Sequence, residues 1–219
     1  MTLALFDLDN TLLGGDSDHA WGEFLSARGH VDAEAYRQAN DRFYAQYKAG
    51  TLDIREFSEF VFAVLARNDR ATLEAWREDF LAECIEPLLL PAAAELLERH
   101  RAQGHTLVII TATNRFVTER IAARYGVEHL IATEPEQDAD GRYTGRLAGT
   151  ACFQNGKITR LREWMAGNGE SLDGAWFYSD SRNDLPLLEA VDNPVAVDPD
   201  PVLEDIARAR GWPVVSLRG

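Results

Sequence analysis

The sequence is poor in cysteine. Cys84 and Cys152 stand apart with no CxxC pair, so neither a zinc knuckle nor a disulfide framework is indicated, and a reducing cytoplasm suits such a chain. No apolar run approaches membrane-spanning length, which excludes a helical anchor as the expected reading. Residues 1–6 are briefly apolar but meet Asp7 at once, without a basic flank or a cleavage-type site, and do not read as a signal peptide. Positive charge is also scarce: 22 Lys and Arg stand against 36 Asp and Glu, a formal net charge of -14. Such a surface repels nucleic acid and anionic membranes, so small molecules are the expected partners, and the oligomeric state is left open. Low-complexity tracts and fixed-period repeats are missing too, and 219 residues at 46% hydrophobic content suit one α/β core interrupted once.

What is present is a series of short apolar runs, each closed by polar residues. Residues 3–6 end in Asp7-Leu8-Asp9, residues 107–110 end in Thr111, and residues 130–132 end in Thr133 and Glu134. Residues 175–178 end in Ser179 and Asp180, residues 194–197 end in Asp198, and Val214 with Val215 is a weaker sixth run. Runs of this length read as strands buried on both faces. Between them lie helical patterns, one over 91–103 that opens on Pro91 and closes at Gly104, another over 116–125 closed by Gly126. Strand and helix in alternation predict a Rossmann-like parallel sheet with helices on both faces, whose ligand site lies beyond the carboxyl ends of the strands.

Residues 14–90 break that rhythm. They show no clear strand, and Trp21, Phe24, Phe43, Tyr47, Phe57, Phe60, Trp76 and Phe80 recur at helical intervals. We read this stretch as an inserted α-helical cap whose aromatics form its own core, flanked by an α/β core of residues 1–13 and 91–219. A turn signal in Asp140-Gly141 beside Tyr143-Thr144 predicts a small hairpin.

The chemistry-bearing residues fall at the polar strand ends. Asp7-Leu8-Asp9-Asn10-Thr11 sets two carboxylates two residues apart, so that one can attack phosphorus while the other moves a proton, although an acidic pair there also suits a turn cap. Asp180 and Asp184, four apart after another strand, suit a hard cation that needs oxygen ligands, or alternatively a helix N-terminus. Thr111, followed by Ala112, offers a hydroxyl and backbone donors for a phosphate oxygen, or simply closes a strand. Lys157, after Gly156, offers a point charge for phosphate, or a solvated helix start.

In this order the four elements resemble the haloacid dehalogenase superfamily, whose motifs are DxDxT, a strand-end Ser or Thr, a Lys and a late acidic motif. The likeness spans nearly the whole chain, and the long helical insert is similar to the capped branch that contains phosphoserine phosphatases. The resemblance implies an aspartyl-phosphate on Asp7 and general acid and base work by Asp9. It implies phosphate contacts from Thr111, Ala112, Lys157 and Asn183. It further implies Mg2+ bound by the Asp7 carboxylate, the Asp9 carbonyl and Asp180, with Asp184 steadying the metal's water. Asp9 at the second acidic position differs from the dehalogenase members, and from the ATPase-type members, which carry Thr there.

Thr111 is followed by Ala112-Thr113-Asn114 where phosphoserine phosphatases usually carry a Gly pair, which turns the reading away from phosphoserine itself. Asp16 stands where those enzymes carry a glutamate that holds the substrate ammonium. Asp18, His19 and Trp21 follow, suited to an amine or a flat ring, or equally to a flap and helix start. The segments 7–21, 110–116 and 178–188 look like a bacterial group to which histidinol-phosphatase activity is attributed. The expectation is hydrolysis of the small phosphomonoester L-histidinol phosphate, with phosphoserine as the second candidate and a phosphate-binding module without turnover as the alternative of another class.

Overall fold

The computed structural model of the chain describes residues 2–218. Its eight strands are β1 (Leu3–Phe6), β2 (Thr106–Asn114), β3 (His129–Thr133), β4 (Pro135–Gln137), β5 (Tyr143–Leu147), β6 (Trp176–Ser179), β7 (Asn193–Val197) and β8 (Val214–Val215). Six of them form one sheet in the order β3-β2-β1-β6-β7-β8, and every neighbouring pair in it is parallel. β4 and β5 form the separate antiparallel hairpin foreseen around Asp140 and Gly141. The chain runs outward from β1 through β2 to β3, then returns to the other side of β1 for β6. That reversal makes the carboxyl ends of β1 and β6 a topological switch point, where open α/β sheets place their ligands.

β2 continues past the expected end at Ile110 as far as Asn114, because its last residue pairs with Thr133 of β3 beyond a register shift. Thr111 and Thr113 therefore both sit on strand backbone, two residues apart, and point to one face.

Four helices stand between β1 and β2: α1 (Ser17–Ala27), α2 (Ala33–Ala49), α3 (Ile54–Arg67) and α4 (Arg70–Phe80), followed by a π turn and a 3-10 turn over Leu81–Ile85 and Glu86–Leu88. Each of the four opens on an aspartate, Asp16, Asp32, Asp53 and Asp69, whose side chain accepts from backbone N–H groups of the first turn. Part of the acidic excess is thus spent on N-caps, each worth about 1 kcal/mol. The remaining helices are α5 (Pro91–Ala102), α6 (Arg115–Arg124), α7 (Asn155–Asn168), the short α8 (Leu185–Leu188) and α9 (Pro201–Arg210).

Alternation along β1 divides the interior. Leu3 and Leu5 join Leu161 of α7, Leu187 and Leu188 of α8 and Leu203 of α9 on one face. Ala4 and Phe6 join Leu96 and Leu97 of α5 and Ile121 of α6 on the other. Helices cover both faces, as the sequence predicts. The second cluster also contains Trp21, Phe62, Leu73 and Phe80, so the aromatics of the 14–90 stretch share one core with the sheet rather than forming a core apart.

Candidate active site

Asp7 follows β1 directly, and its N–H donates to the Tyr178 carbonyl at 2.9 Å, which fixes it beside the end of β6. Lys157 Nζ donates to Asp7 Oδ1 and to Asp184 Oδ2, both at 2.7 Å. All three side chains are buried. The lysine reaches this point because α7 starts hard against the preceding loop: a Cβ on Gly156 would lie 2.0 Å from the Ala151 carbonyl oxygen, so only glycine fits there. Asp184 also accepts from Ser179 Oγ at 2.7 Å. Burial pushes the Asp7 carboxyl up to about 7 against the pull of Lys157, with repulsion from Asp184 and Asp9 adding to the rise. Burial works against the Lys157 charge, but Asp184 and Asp7 outweigh it and raise its pKa.

Asp9 has a different set of partners. Its Oδ1 accepts from Ser17 N–H at 2.6 Å, and its Oδ2 accepts from Thr113 Oγ1 at 2.7 Å and from Thr111 Oγ1 at 3.4 Å. Burial and the nearby Asp16 charge push this carboxyl up to about 6, and the Ser17 and Thr113 hydrogen bonds limit the rise. Asn10, at φ 59°, turns the chain after Asp9, and its N–H is closed onto the Gly15 carbonyl at 2.9 Å. This loop delivers the Ser17 amide to Asp9.

Asp180, after β6, is tied to the β1 loop in both directions: Thr11 Oγ1 donates to Asp180 Oδ1 at 3.2 Å, and Asp180 N–H donates to Thr11 Oγ1 at 3.0 Å. Burial, then repulsion from Asp7 and Asp184, raises the Asp180 carboxyl well above the usual range. Asp7 and Asp184 thus bind the Lys157 ammonium directly, with the Asp180 charge close enough to feel it and Asp9 close enough to repel Asp7. Oxygen donors in excess of the cationic charge beside them fit a hard divalent ion.

Asn183, expected near phosphate, donates from Nδ2 to the Tyr47 carbonyl of α2 at 3.1 Å and accepts on Oδ1 from Gln154 at 3.3 Å. It joins the acidic loop to the helical insert.

Asp7, Asp9, Asp16, Asp18, Thr111 and Ala112 line one narrow cleft between the strand ends and the insert. Asp16 is committed to the helix start: its Oδ1 accepts from the N–H groups of Asp18 at 3.0 Å and His19 at 2.8 Å. Asp18 Oδ1 is buried without a hydrogen-bond partner. Burial, with repulsion from Asp16 and Asp9, raises the Asp18 carboxyl well above its usual range.

The opposite wall was not foreseen as such. Phe43, Tyr44, Tyr47 and Phe57 face the cleft, with Asn40 beside them. The helical intervals mark Phe43, Tyr47 and Phe57 as core of the insert but do not single out Tyr44 or show which aromatics look onto the cleft. Trp21, grouped by sequence with the flap, lies elsewhere: it is buried against Phe24, Phe80 and Phe116. Thr113 was also missed, though its spacing of two from Thr111 on a strand carried the signal. Among the described residues, His19, Glu23 and Asp41 bring one ligand atom each within 4.8 Å of one another. The three are half-buried or exposed, as a solvated charge cluster is.

The model of the haloacid dehalogenase-like hydrolase family matches residues 4–189. A histidinol-phosphatase of Neisseria meningitidis serogroup C (strain 8013) is 44% identical over 219 residues, covering 99% of either chain. The phosphoserine phosphatase SerB1 of Mycobacterium tuberculosis (strain ATCC 25618 / H37Rv) is 33% identical over 98% of this chain and 70% of its own length. A solved structure of a protein of unknown function from Bordetella pertussis Tohama I superposes with a TM-score of 0.93 at 46% identity, covering 99% of this chain and 100% of that one.

Proposed function

Because the chain belongs to the haloacid dehalogenase-like hydrolase family and is a phosphatase, we propose that it hydrolyses L-histidinol phosphate through an aspartyl-phosphate on Asp7, with Mg2+ as cofactor. The observation that carries the mechanism is the contrast between the two strand-end carboxylates. Asp7 is paired with the Lys157 ammonium at 2.7 Å, which favours its ionised, nucleophilic form against the rise that burial gives it. Asp9 is held by hydroxyls and an amide and sits near 6, where a group can give and take a proton near neutral pH.

In the first step a carboxylate oxygen of Asp7 bonds to phosphorus as the ester P–O bond breaks, and Asp9 gives its proton to the departing alkoxide. In the second, Asp9 takes a proton from water, whose oxygen attacks phosphorus and releases the Asp7 carboxylate and inorganic phosphate. Thr111 and the backbone beside Ala112 hold phosphate oxygens, and Lys157 balances their charge. A magnesium ion held by the Asp7 and Asp180 carboxylates and the Asp9 carbonyl, with Asp184 nearby, would neutralise charge on the transferring group. Residues 14–90 serve in this reading as a cap that excludes water and contacts the leaving group, over a core of 1–13 and 91–219.

The histidinol-phosphatase relative, matched end to end at 44% identity, supports the substrate. Phosphoserine is the second reading, favoured by the SerB1 relative. Phosphate release measured across L-histidinol phosphate, phosphoserine, sugar phosphates and nucleotides, with magnesium and with chelator, separates them. Histidinol phosphate is expected to lead in kcat/KM and chelation to stop turnover. Asp7→Asn is expected to abolish both turnover and phosphoenzyme, and full activity in that variant would reject the nucleophile assignment.

A further inference from the structure

The cleft has two ends of different chemistry. One holds the phosphoryl machinery of Asp7, Asp9 and Thr111; the other is formed by the start of α1 and the aromatic faces of α2 and α3. Asp9 Oδ1 takes the Ser17 amide, and Asp16 Oδ1 takes those of Asp18 and His19. The first turn of α1 is therefore capped by Asp9 and Asp16 together. Asp18 is left over from that arrangement, with Oδ1 buried, unpartnered, and on a residue that lines the cleft. A buried carboxylate oxygen without a donor is costly, and a cationic N–H placed against it removes the cost.

The walls around it suit a flat or slender cation. The His19 ring stacks on Tyr44 with centroids 4.4 Å apart and planes 17° apart, and Asn40 Nδ2 holds its Nδ1 at 3.0 Å. Phe43 and Phe57, centroids 5.3 Å apart, complete an aromatic side. Lysine and arginine do not occur among the cleft's lining residues. Lys48, whose ammonium lies 4.2 Å from the centroid of the Tyr44 ring, lines a separate groove with Asp180 and Arg182.

We propose that Asp18 is the specificity-determining residue of this cleft: it binds an ammonium or imidazolium group on the leaving alcohol. Together with Asp16 it turns away esters whose leaving group carries a carboxylate. The proposal rests on the reading that this cleft hydrolyses phosphomonoesters, and it narrows the cation contact from Asp16 and Asp18, which the sequence offered together, to Asp18. A carboxylate bound here would face two acidic side chains with no lysine or arginine in the cleft lining, and the Lys48 charge that reaches Asp16 comes from the neighbouring groove.

The test is kcat/KM on four esters: L-histidinol phosphate (cation and ring), phosphoethanolamine (cation alone), phosphoserine (cation and carboxylate) and glycerol 3-phosphate (neutral). Asp18→Asn is expected to lower kcat/KM at least about 10-fold for the first two, mainly through KM, the scale of one lost charge-assisted hydrogen bond. The loss on glycerol 3-phosphate should be smaller than on either of them, and the gap between phosphoserine and phosphoethanolamine should narrow. With the wild type, the alcohol L-histidinol should inhibit competitively and L-serine should not, a readout independent of any variant's folding. An equal loss on all four esters, or inhibition by serine as strong as by histidinol, overturns the role of Asp18 while the phosphatase reading stands. No turnover of any ester overturns the reading itself.

Discussion

Thr113 is a hydroxyl placed to orient the proton carrier proposed at Asp9. Its Oγ1 lies 2.7 Å from Asp9 Oδ2, and Ser17 N–H holds the other oxygen at 2.6 Å, so the carboxyl is clamped on both sides. A proton donor that must reach a leaving oxygen gains more from orientation than from strength. Thr113→Val keeps the side-chain volume and removes the clamp on one side. We expect kcat to fall about 10-fold on an alkyl phosphate, a fraction of what general acid catalysis supplies. KM should change little. The loss should be smaller on p-nitrophenyl phosphate, whose alcohol leaves without a proton. A variant that loses equally on both esters, or loses through KM alone, would show that Thr113 binds phosphate instead of positioning Asp9.

At the scale of elements, α5 is locked to the sheet by a polar contact inside an apolar face. His100, buried on α5, has Nε2 2.8 Å from the Tyr178 hydroxyl of β6 and Nδ1 2.8 Å from Nδ1 of His105. A neutral ring satisfies both contacts when Tyr178 donates to Nε2 and His100 donates from Nδ1; a second proton on His100 would displace the tyrosine donor. Burial, with the neighbouring His105 and Arg99, lowers the His100 pKa from 6.5 to about 4. The unfolded chain therefore binds a proton that the folded one refuses between those two values. Stability is full above about pH 6.5 and is lost as pH falls toward 4, by on the order of 2 kcal/mol. Melting temperatures of wild type and His100→Gln at pH 7 and pH 5 check this. The variant should melt lower at pH 7 and show the smaller drop between the two values, and parallel slopes would rule His100 out as the source.

The strands and most helices of this face were legible, since apolar runs and the Pro91 and Gly104 signals are local. The His100 contact was not, because His100 and Tyr178 are 78 positions apart and meet only when the parallel sheet forms. The same holds within the site. Asp7, Asp9, Thr111, Lys157 and Asp180 each close a local pattern, which makes them candidates in the sequence. Asp18 was paired with Asp16 in sequence, and only the hydrogen-bond partners on α1 separate the cap from the free carboxylate.

For the whole molecule the question is how an acidic chain keeps its charges together. Part of the answer is structural: Asp16, Asp32, Asp53 and Asp69 cap helices, and buried Arg77 bridges Glu74, Glu119 and the Phe116 carbonyl, joining α4 to α6. At the strand ends Asp9 takes the Ser17 amide and Asp180 and Asp184 take hydroxyls, while Lys157 is the cation that pairs with Asp7 and Asp184. Burial, then repulsion from Asp7 and Asp184, disfavours the Asp180 charge, and the magnesium ion proposed above would relieve it by taking Asp180 as a ligand. The two states of Asp180→Asn are therefore expected to move in opposite directions. In chelator the variant should melt at or above wild type, since the amide keeps an acceptor for the Thr11 hydroxyl and removes the repelled charge. In magnesium wild type should gain about 2.7 kcal/mol when the ion is at a hundred times its dissociation constant. For a chain of this length that is roughly 5–10 °C in Tm, and the variant should gain little of it. Thermal unfolding in both conditions gives the four values needed. A magnesium shift that survives in Asp180→Asn would place the ion away from the β1 and β6 strand ends and would remove Asp180 from the ligand set.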